Sequence, residues 1–95
     1  MNSKKILDYK KKAAILKALA HETRLIIIDN LAKGPMCVCE INKLFNLDQS
    51  TVSKHLLVLK NASIITDEKR GMNVFYTLRT PCILTYFKCL EKVYK

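Results

Sequence analysis

Two cysteines separated by one residue, Cys37 and Cys39, are the side chains of this sequence best suited to chemistry. Their thiolates favour soft or thiophilic ions such as As(III), Sb(III), Cd(II) and Pb(II), and disfavour Mg(II) and Ca(II). Residues i and i+2 of a regular helix point about 200° apart, so both sulfurs can bind one ion only where a helix begins irregularly or unwinds. Ion binding at this pair is therefore expected to strain the helix that follows.

The other two cysteines, Cys82 and Cys89, are seven residues apart. On one helix this is a rise of about 10.5 Å, too far for both to chelate one ion within a subunit, although they could meet across an antiparallel dimer. We favour buried interface residues for both, because free cysteine is among the most buried residue types. Without a secretory signal, the cysteines predict free thiols, metal ligands or redox groups rather than a disulfide framework. The spacing of a four-ligand structural zinc site is absent, and His21 is interpreted as a helix-start residue.

The predicted reader is a helix with one apolar and one polar face. Val52, Leu56 and Leu59 are spaced i, i+4 and i+7 and form one apolar stripe. A major-groove reader presents short polar side chains on its free face and has cations nearby for phosphates. A solvated face would also be polar, but the series of helix, turn, helix and basic hairpin favours DNA binding. The predicted DNA contacts are Gln49, Ser50, Thr51, Ser53, Lys54 and His55 on the helix, and Lys69 and Arg70 on the hairpin.

Hydrophobic spacing predicts a mainly α fold with a small β-hairpin, in the order α-α-α-α-β-β-α. Asp48 is placed to cap the fourth helix, and Ile41, Leu44 and Phe45 are expected to face inward from the third. The predicted helices cover 6–20, 23–32, 38–45, 49–61 and 81–94, and the strands cover 64–66 and 72–78 with a turn at 67–71.

The last helix carries two neighbouring apolar stripes, too wide for a helix that touches only one surface. The second stripe, with help from the first helix, is therefore assigned to a dimer interface. It consists of Cys82, Tyr86, Cys89 and Val93.

Length and charge limit the function. The chain has 95 residues and a net charge of +9, from 17 Lys and Arg against 8 Asp and Glu. One domain over 1–95 is expected, with a core modest enough that a homodimer would stabilise it. The charge favours a polyanionic partner, either nucleic acid or an anionic membrane surface.

No apolar run approaches the roughly 18 residues of a membrane span, so a cytoplasmic protein is predicted. No constellation of catalytic groups indicates an enzyme.

The chain resembles the ArsR/SmtB family of winged-helix repressors over nearly its whole length, and three segments carry the resemblance. They are ALAHETRLIII at 18–28, QSTVSKHLLVL at 49–59 and GMNVFYTL at 71–78. The resemblance implies a dimeric winged helix-turn-helix protein, with an interface formed by the first and last helices. It also implies binding to a palindromic operator in double-stranded DNA and release when an inducer binds. The pair His21-Glu22 departs from the Asp-Pro of many members, which concerns only how the second helix starts.

Cys37-Val38-Cys39-Glu40 resembles the Cys-Val-Cys-Asp motif by which arsenite- and cadmium/lead-responsive members bind their effector. Asn42 stands where arsenite-responsive members commonly carry a third cysteine. The resemblance leaves Cys82, Cys89, a non-protein ligand or no group at all as the third ligand.

The sequence therefore predicts a transcriptional repressor that is released from its operator when As(III), or Sb(III), Cd(II) or Pb(II), binds Cys37 and Cys39. The ion would act as an inducer and not as a permanent cofactor. One alternative is a regulator whose cysteines respond to oxidants or persulfides. Another is a constitutive DNA-binding module in which the cysteines are incidental.

Overall fold

The computed structural model describes residues 2–95. Within them the elements are α1 (Ser3–Leu19), α2 (Glu22–Leu31), β1 (Met36–Cys37), α3 (Val38–Asn42), α4 (Gln49–Asn61), β2 (Ile65–Arg70), β3 (Asn73–Leu78) and α5 (Ile83–Tyr94). All seven predicted elements are present, and β1 is an eighth that was not predicted. Each helix other than α3 begins and ends within about three residues of its predicted bounds.

Side chains cap the first two helices. The backbone N–H of Lys5 donates to Asn2 Oδ1 at 2.8 Å, and that of Thr23 donates to His21 Nδ1 at 3.1 Å. Both bonds satisfy a donor that has no partner within its own helix. His21 is thus the helix-start residue that the sequence indicated.

The predicted third helix is too long. α3 ends at Asn42 because the chain tightens there: Leu44 N donates to Ile41 O and Phe45 N donates to Asn42 O, each only three residues back. Of the three side chains expected to face inward, Ile41 is buried and Phe45 half-buried, whereas Leu44 is 38% exposed. The expectation for Leu44 was wrong because that residue lies beyond the helical turn.

The predicted turn at 67–71 is also wrong. β2 continues through Asp67 and Glu68 to Arg70, which pairs with Asn73, and only Gly71 and Met72 form the turn. Gly71 has φ +61°, the left-handed conformation that glycine adopts most readily. Met72, predicted to begin the second strand, is 95% exposed at the tip.

The unpredicted strand β1 joins this hairpin to the rest of the chain. Met36 lies opposite Tyr76 and Cys37 lies opposite Phe75, which gives an antiparallel sheet in the order β1-β3-β2. Two residues are too few for a periodic signal in the sequence. Because of strand β1, Cys37 belongs to the same sheet as the β2–β3 hairpin. This hairpin, residues 65–78, is called the wing below.

The core unites α2, α3, α4 and the start of β2. The apolar stripe predicted on α4 is buried, as expected. The largest fully buried side chains are Ile27, Ile28, Ile41, Val52, Leu56, Leu59, Ile64 and Ile65.

Helices α1 and α5 keep large apolar side chains at the surface of the chain. On α1 these include Ile6, Leu7, Ile15 and Leu16, and on α5 they include Tyr86, Leu90, Val93 and Tyr94. Within residues 2–95, none of the helices combines the length and the apolar character that crossing a membrane requires.

Candidate nucleic-acid interface and thiol pair

Helix α4 carries the predicted reader face. Gln49, Ser50, Ser53 and Lys54 are exposed and Thr51 is half-buried, on the side away from the buried stripe. Asp48 occupies the cap position in an extended conformation, but its side chain makes no capping hydrogen bond. Its backbone carbonyl instead accepts from the N–H groups of Thr51 and Val52. The exposed side chains of Gln49, Ser50, Ser53 and Lys54 are accessible to a partner.

The wing carries the two predicted hairpin contacts at its tip. Lys69 and Arg70 are the last residues of β2 and both are exposed. The Arg70 guanidinium lies 5.0 Å from the ring centroid of Phe75, and its Nη2 lies 3.4 Å from Glu68 Oε2. The ring orients the guanidinium by a cation–π contact, while the exposed ion pair contributes little free energy.

His55 is less accessible than most of the other predicted DNA contacts. It is half-buried, its Nδ1 accepts a hydrogen bond from Arg24 Nε at 3.1 Å, and its ring centroid is 4.3 Å from that of His21. Burial lowers the pKa of His55 below its usual value, and the neighbouring His21 and Arg24 lower this pKa further. A DNA contact by His55 stays a prediction, and only its Nε2 edge is uncommitted.

Cys37 and Cys39 are joined by a disulfide, with their Cα atoms 5.4 Å apart. Cys37 is extended, with φ −75° and ψ 158°, and precedes the first helical residue of α3. The opposing directions of residues i and i+2 in a helix therefore do not apply, and the irregular start that the pair required is present. Glu40 Oε1 accepts from the Cys37 backbone N–H at 3.1 Å and fixes this start.

The remaining cysteines do not complete a site within one chain. Cys82 and Cys89 are exposed free thiols at the start and in the middle of α5. Among residues 2–95, no three side chains of the His, Cys, Asp and Glu types are arranged to hold a metal ion. The thiol pair is thus a two-sulfur site in the isolated chain.

The thiol pair is connected to the wing more directly than to α4. Helix α3 lies against β1 and β3, and Cys37 is opposite Phe75, whose ring lies beneath Arg70. Ile41 links α3 to the core that also holds α4. The sequence argument connected the cysteines to the reader through α3 alone, because β1 was not foreseen.

The sequence model described as bacterial regulatory protein, arsR family, matches residues 21–67. An HTH-type transcriptional regulator of Methanocaldococcus jannaschii is 45% identical over 86 residues, which is 90% of this chain and 97% of that protein. The arsenical resistance operon repressor of Staphylococcus xylosus is 35% identical over 72 residues, which is 76% of this chain and 69% of that protein. The chain belongs to the arsR family.

The fold of this ArsR-family protein agrees with that assignment. The homodimeric winged helix-turn-helix DNA-binding domain of a regulator from Mycobacterium bovis superposes with a TM-score of 0.83 at 26% identity, over 98% of this chain and 86% of that one. The protein is thus a DNA-binding transcriptional regulator with a winged helix-turn-helix, and its relatives are regulators rather than enzymes.

Two residues that contact His55 were not predicted to do so from the sequence. Arg24 was not singled out, and His21 was assigned only the start of α2. Arg24 and His55 are separated by 31 positions, so no local pattern relates them. The only sequence signal is the position of both residues within segments that resemble the family.

Proposed function

We propose that this ArsR-family protein is a repressor that leaves its operator when a thiophilic ion binds Cys37 and Cys39. The observation that supports the proposal is the meeting of two sulfurs at the irregular start of α3, in a strand of the wing sheet. The arsenical resistance operon repressor of S. xylosus is a relative of this chain. Thiolate pairs fit soft ions such as As(III), Sb(III), Cd(II) and Pb(II).

Such an ion would accept electron pairs from two thiolates, and the resulting change in DNA binding would arise from the chain. Holding both sulfurs on one centre constrains the backbone of Cys37, and this strain acts on Phe75 across the β1–β3 pairing. Phe75 in turn orients Arg70 at the wing tip. Because the ligands act as thiolates, ion binding releases protons and weakens as pH falls.

The DNA contacts of the proposal are the polar face of α4 and the wing tip. Gln can bond adenine in two places, Ser, Thr and Lys serve bases or phosphates, and the tip reaches the backbone or an adjacent minor groove. The proposed contacts are Gln49, Ser50, Thr51, Ser53, Lys54, His55, Lys69 and Arg70.

The proposed assembly is a homodimer joined by α1 and α5. Both helices present apolar side chains that the isolated chain leaves at its surface. A twofold axis would place two α4 helices about 34 Å apart, the repeat of a palindromic operator on one face of DNA.

A second candidate function is a thiol-redox regulator, and the disulfide between Cys37 and Cys39 favours it. Two thiols give up two electrons and two protons to form the S–S bond, and an oxidant such as a peroxide is reduced to water. The same β1 strand would transmit this change to the wing.

A titration separates the two candidates and tests the site. Reduced wild-type dimer bound to operator is titrated with As(III) in the presence of a non-thiol reductant, and separately with peroxide. As(III) is expected to weaken DNA binding by roughly 5- to 150-fold, the usual range of such coupling. The Cys37→Ser, Cys39→Ser variant is expected to bind operator but to ignore As(III). Fluorescence anisotropy of labelled operator measures both.

The matched control is the Cys82→Ser, Cys89→Ser variant, which also removes two cysteines and should respond as wild type does. Release of the Cys37→Ser, Cys39→Ser variant by As(III), with no release of the control variant, would place the sensor in α5. Release of reduced wild type by peroxide but not by As(III) would establish the redox candidate instead.

A further inference from the structure

The Arg24 side chain, on α2, contacts both α1 and the reader helix α4. Arg24 of α2 donates through Nη1 to the carbonyl oxygens of Ala18 at 3.2 Å and Lys17 at 3.4 Å, in the last turn of α1. Its Nε donates to His55 Nδ1 of α4 at 3.1 Å. The last carbonyls of a helix lack partners within the helix, and Arg24 supplies one for Ala18 while it also contacts α4. The Lys17 carbonyl also accepts from the backbone N–H of Ala20. The contacts of Arg24 with His55 and with the Ala18 carbonyl are half-buried, where a charged hydrogen bond is stronger than in water, whereas the contact with the Lys17 carbonyl is exposed.

The contact with Arg24 determines which nitrogen of the His55 imidazole carries the proton. His55 Nδ1 accepts from Arg24 Nε, so the His55 ring is neutral with its proton on Nε2, and His21 Nδ1 accepts from the backbone N–H of Thr23. The rings lie 4.3 Å apart. A proton added to His55 Nδ1 would place its N–H donor against the Nε–H donor of Arg24. Protonation of His55 therefore breaks the link between Arg24 and α4.

We propose that Arg24 is a positioning residue for the reader, which sets the orientation of α4 relative to α1 through the neutral His55 imidazole. The inference rests on the proposed function in two respects, the assignment of α4 as the reader and of α1 to the dimer interface. Since α1 is proposed to join the two subunits, Arg24 relates the reader of each subunit to the dimer. Acidification then weakens operator binding, opposite to the usual effect of adding positive charge to a DNA-binding surface.

The direction of this effect follows from the groups around His55. The titratable and charged groups that act on it are the His21 imidazole, before α2, and the Arg24 guanidinium, on α2. With burial, both hold the pKa of His55 below its usual value. The folded state then binds fewer protons here than the unfolded chain does. The stability that His55 contributes is therefore complete above the usual histidine pKa and is lost as pH falls through the lowered one.

The test compares operator affinity of the dimer between about pH 8 and about pH 5 at fixed salt. Wild type is expected to lose roughly tenfold or more in affinity over this range, the size of one charged hydrogen bond. Arg24→Lys keeps the charge but cannot reach α1 and α4 together, so it is expected to lose a similar factor already at about pH 8. Arg79→Lys is the matched control, since Arg79 Nη1 donates to the Ser63 carbonyl and to no group on the reader face. It should behave as wild type.

His55→Asn is judged by the shape of its pH profile. Asn Oδ1 takes the place of Nδ1 as an acceptor for Arg24 but does not titrate, so the fall in affinity should flatten. Nitrogen-15 spectra of wild type at about pH 8 should show His55 as the Nε2–H tautomer, a readout that does not need any variant to fold. Wild-type affinity of Arg24→Lys, an unchanged profile in His55→Asn or an Nδ1–H tautomer would each overturn the inference.

A separate variant distinguishes this inference from the proposed function. Gln49→Ala, Ser53→Ala removes two reader contacts and leaves Arg24 and His55 in place. If it loses operator binding while Arg24→Lys does not, only the positioning role of Arg24 is overturned. If the Gln49→Ala, Ser53→Ala variant retains full operator binding, α4 is not the reader, and both the proposed function and this inference are overturned.

Discussion

A Tyr86→Glu, Val93→Glu variant should sediment as a monomer and bind a palindromic operator on the order of 10²- to 10⁴-fold less tightly than wild type. Tyr86 is 64% exposed and Val93 is 84% exposed in the isolated chain, on the α5 stripe assigned to the dimer interface. Burying two carboxylates against a second apolar helix is costly, so association fails. Each monomer then binds one half-site without the gain in effective concentration that a dimer provides. Sedimentation and operator anisotropy measure the two effects.

The control for the interface variant changes charge equally on α5 but outside both apolar stripes. Thr85→Glu, Lys92→Gln lowers the charge by the same two units and should remain dimeric with near wild-type affinity. A dimer that survives Tyr86→Glu, Val93→Glu would show that another surface joins the subunits. Monomers that keep full operator affinity would show that one reader suffices.

A Lys54→Ala, Lys69→Ala, Arg70→Ala variant should keep its fold and its dimer but bind operator on the order of a hundredfold less tightly at about 0.1 M salt. Each of these exposed cations is a proposed phosphate or groove contact, and each phosphate neutralised releases counterions. The log-log slope of affinity against salt should therefore become shallower by about 0.9 for each phosphate that the variant no longer neutralises. The measurement is operator anisotropy across a salt series.

A triple variant away from α4 and the wing, Lys33→Ala, Lys88→Ala, Lys95→Ala, removes the same charge. It should retain most of the affinity and a nearly unchanged salt slope, because these residues are not on the proposed face. Full affinity in the Lys54, Lys69, Arg70 variant, or a complex that does not respond to salt, would remove those three residues from the DNA interface. An equal fall in affinity in both variants would indicate attraction by net charge alone.

The reader helix shows what the sequence could predict. The apolar stripe of α4 repeats over several turns, so its bounds, its buried side and its polar side all follow from spacing. Short elements give no such signal, and the end of α3 depends on two tight backbone bonds at Leu44 and Phe45. The length of β2 was misjudged because Asp67 and Glu68 disfavour strands, yet Tyr76 and Phe75 lie opposite them in the sheet.

The residues of the proposed sites fall into two groups in the same way, those with a local signal in the sequence and those without one. The thiol pair and the polar face of α4 are visible because their residue types are informative at fixed local spacing. The Arg24–His55 contact and the pairing of Cys37 with Phe75 join distant parts of the sequence. Those relations depend on how helices and strands pack, and single-sequence spacing carries no information on that.

The two sulfurs of the thiol pair differ in access to solvent, and in the proposed function this difference sets the order in which they react. Cys37 is 5% exposed within strand β1 of the wing sheet, whereas Cys39 is exposed at the first turn of α3. A reagent that arrives from water therefore meets Cys39 first, and Cys37 completes the reaction from inside the fold. In the proposed mechanism the exposed Cys39 thiol therefore captures the ion, and the response begins once Cys37 has also bound it. A Cys37→Ser variant is then expected to react at Cys39 without releasing operator DNA.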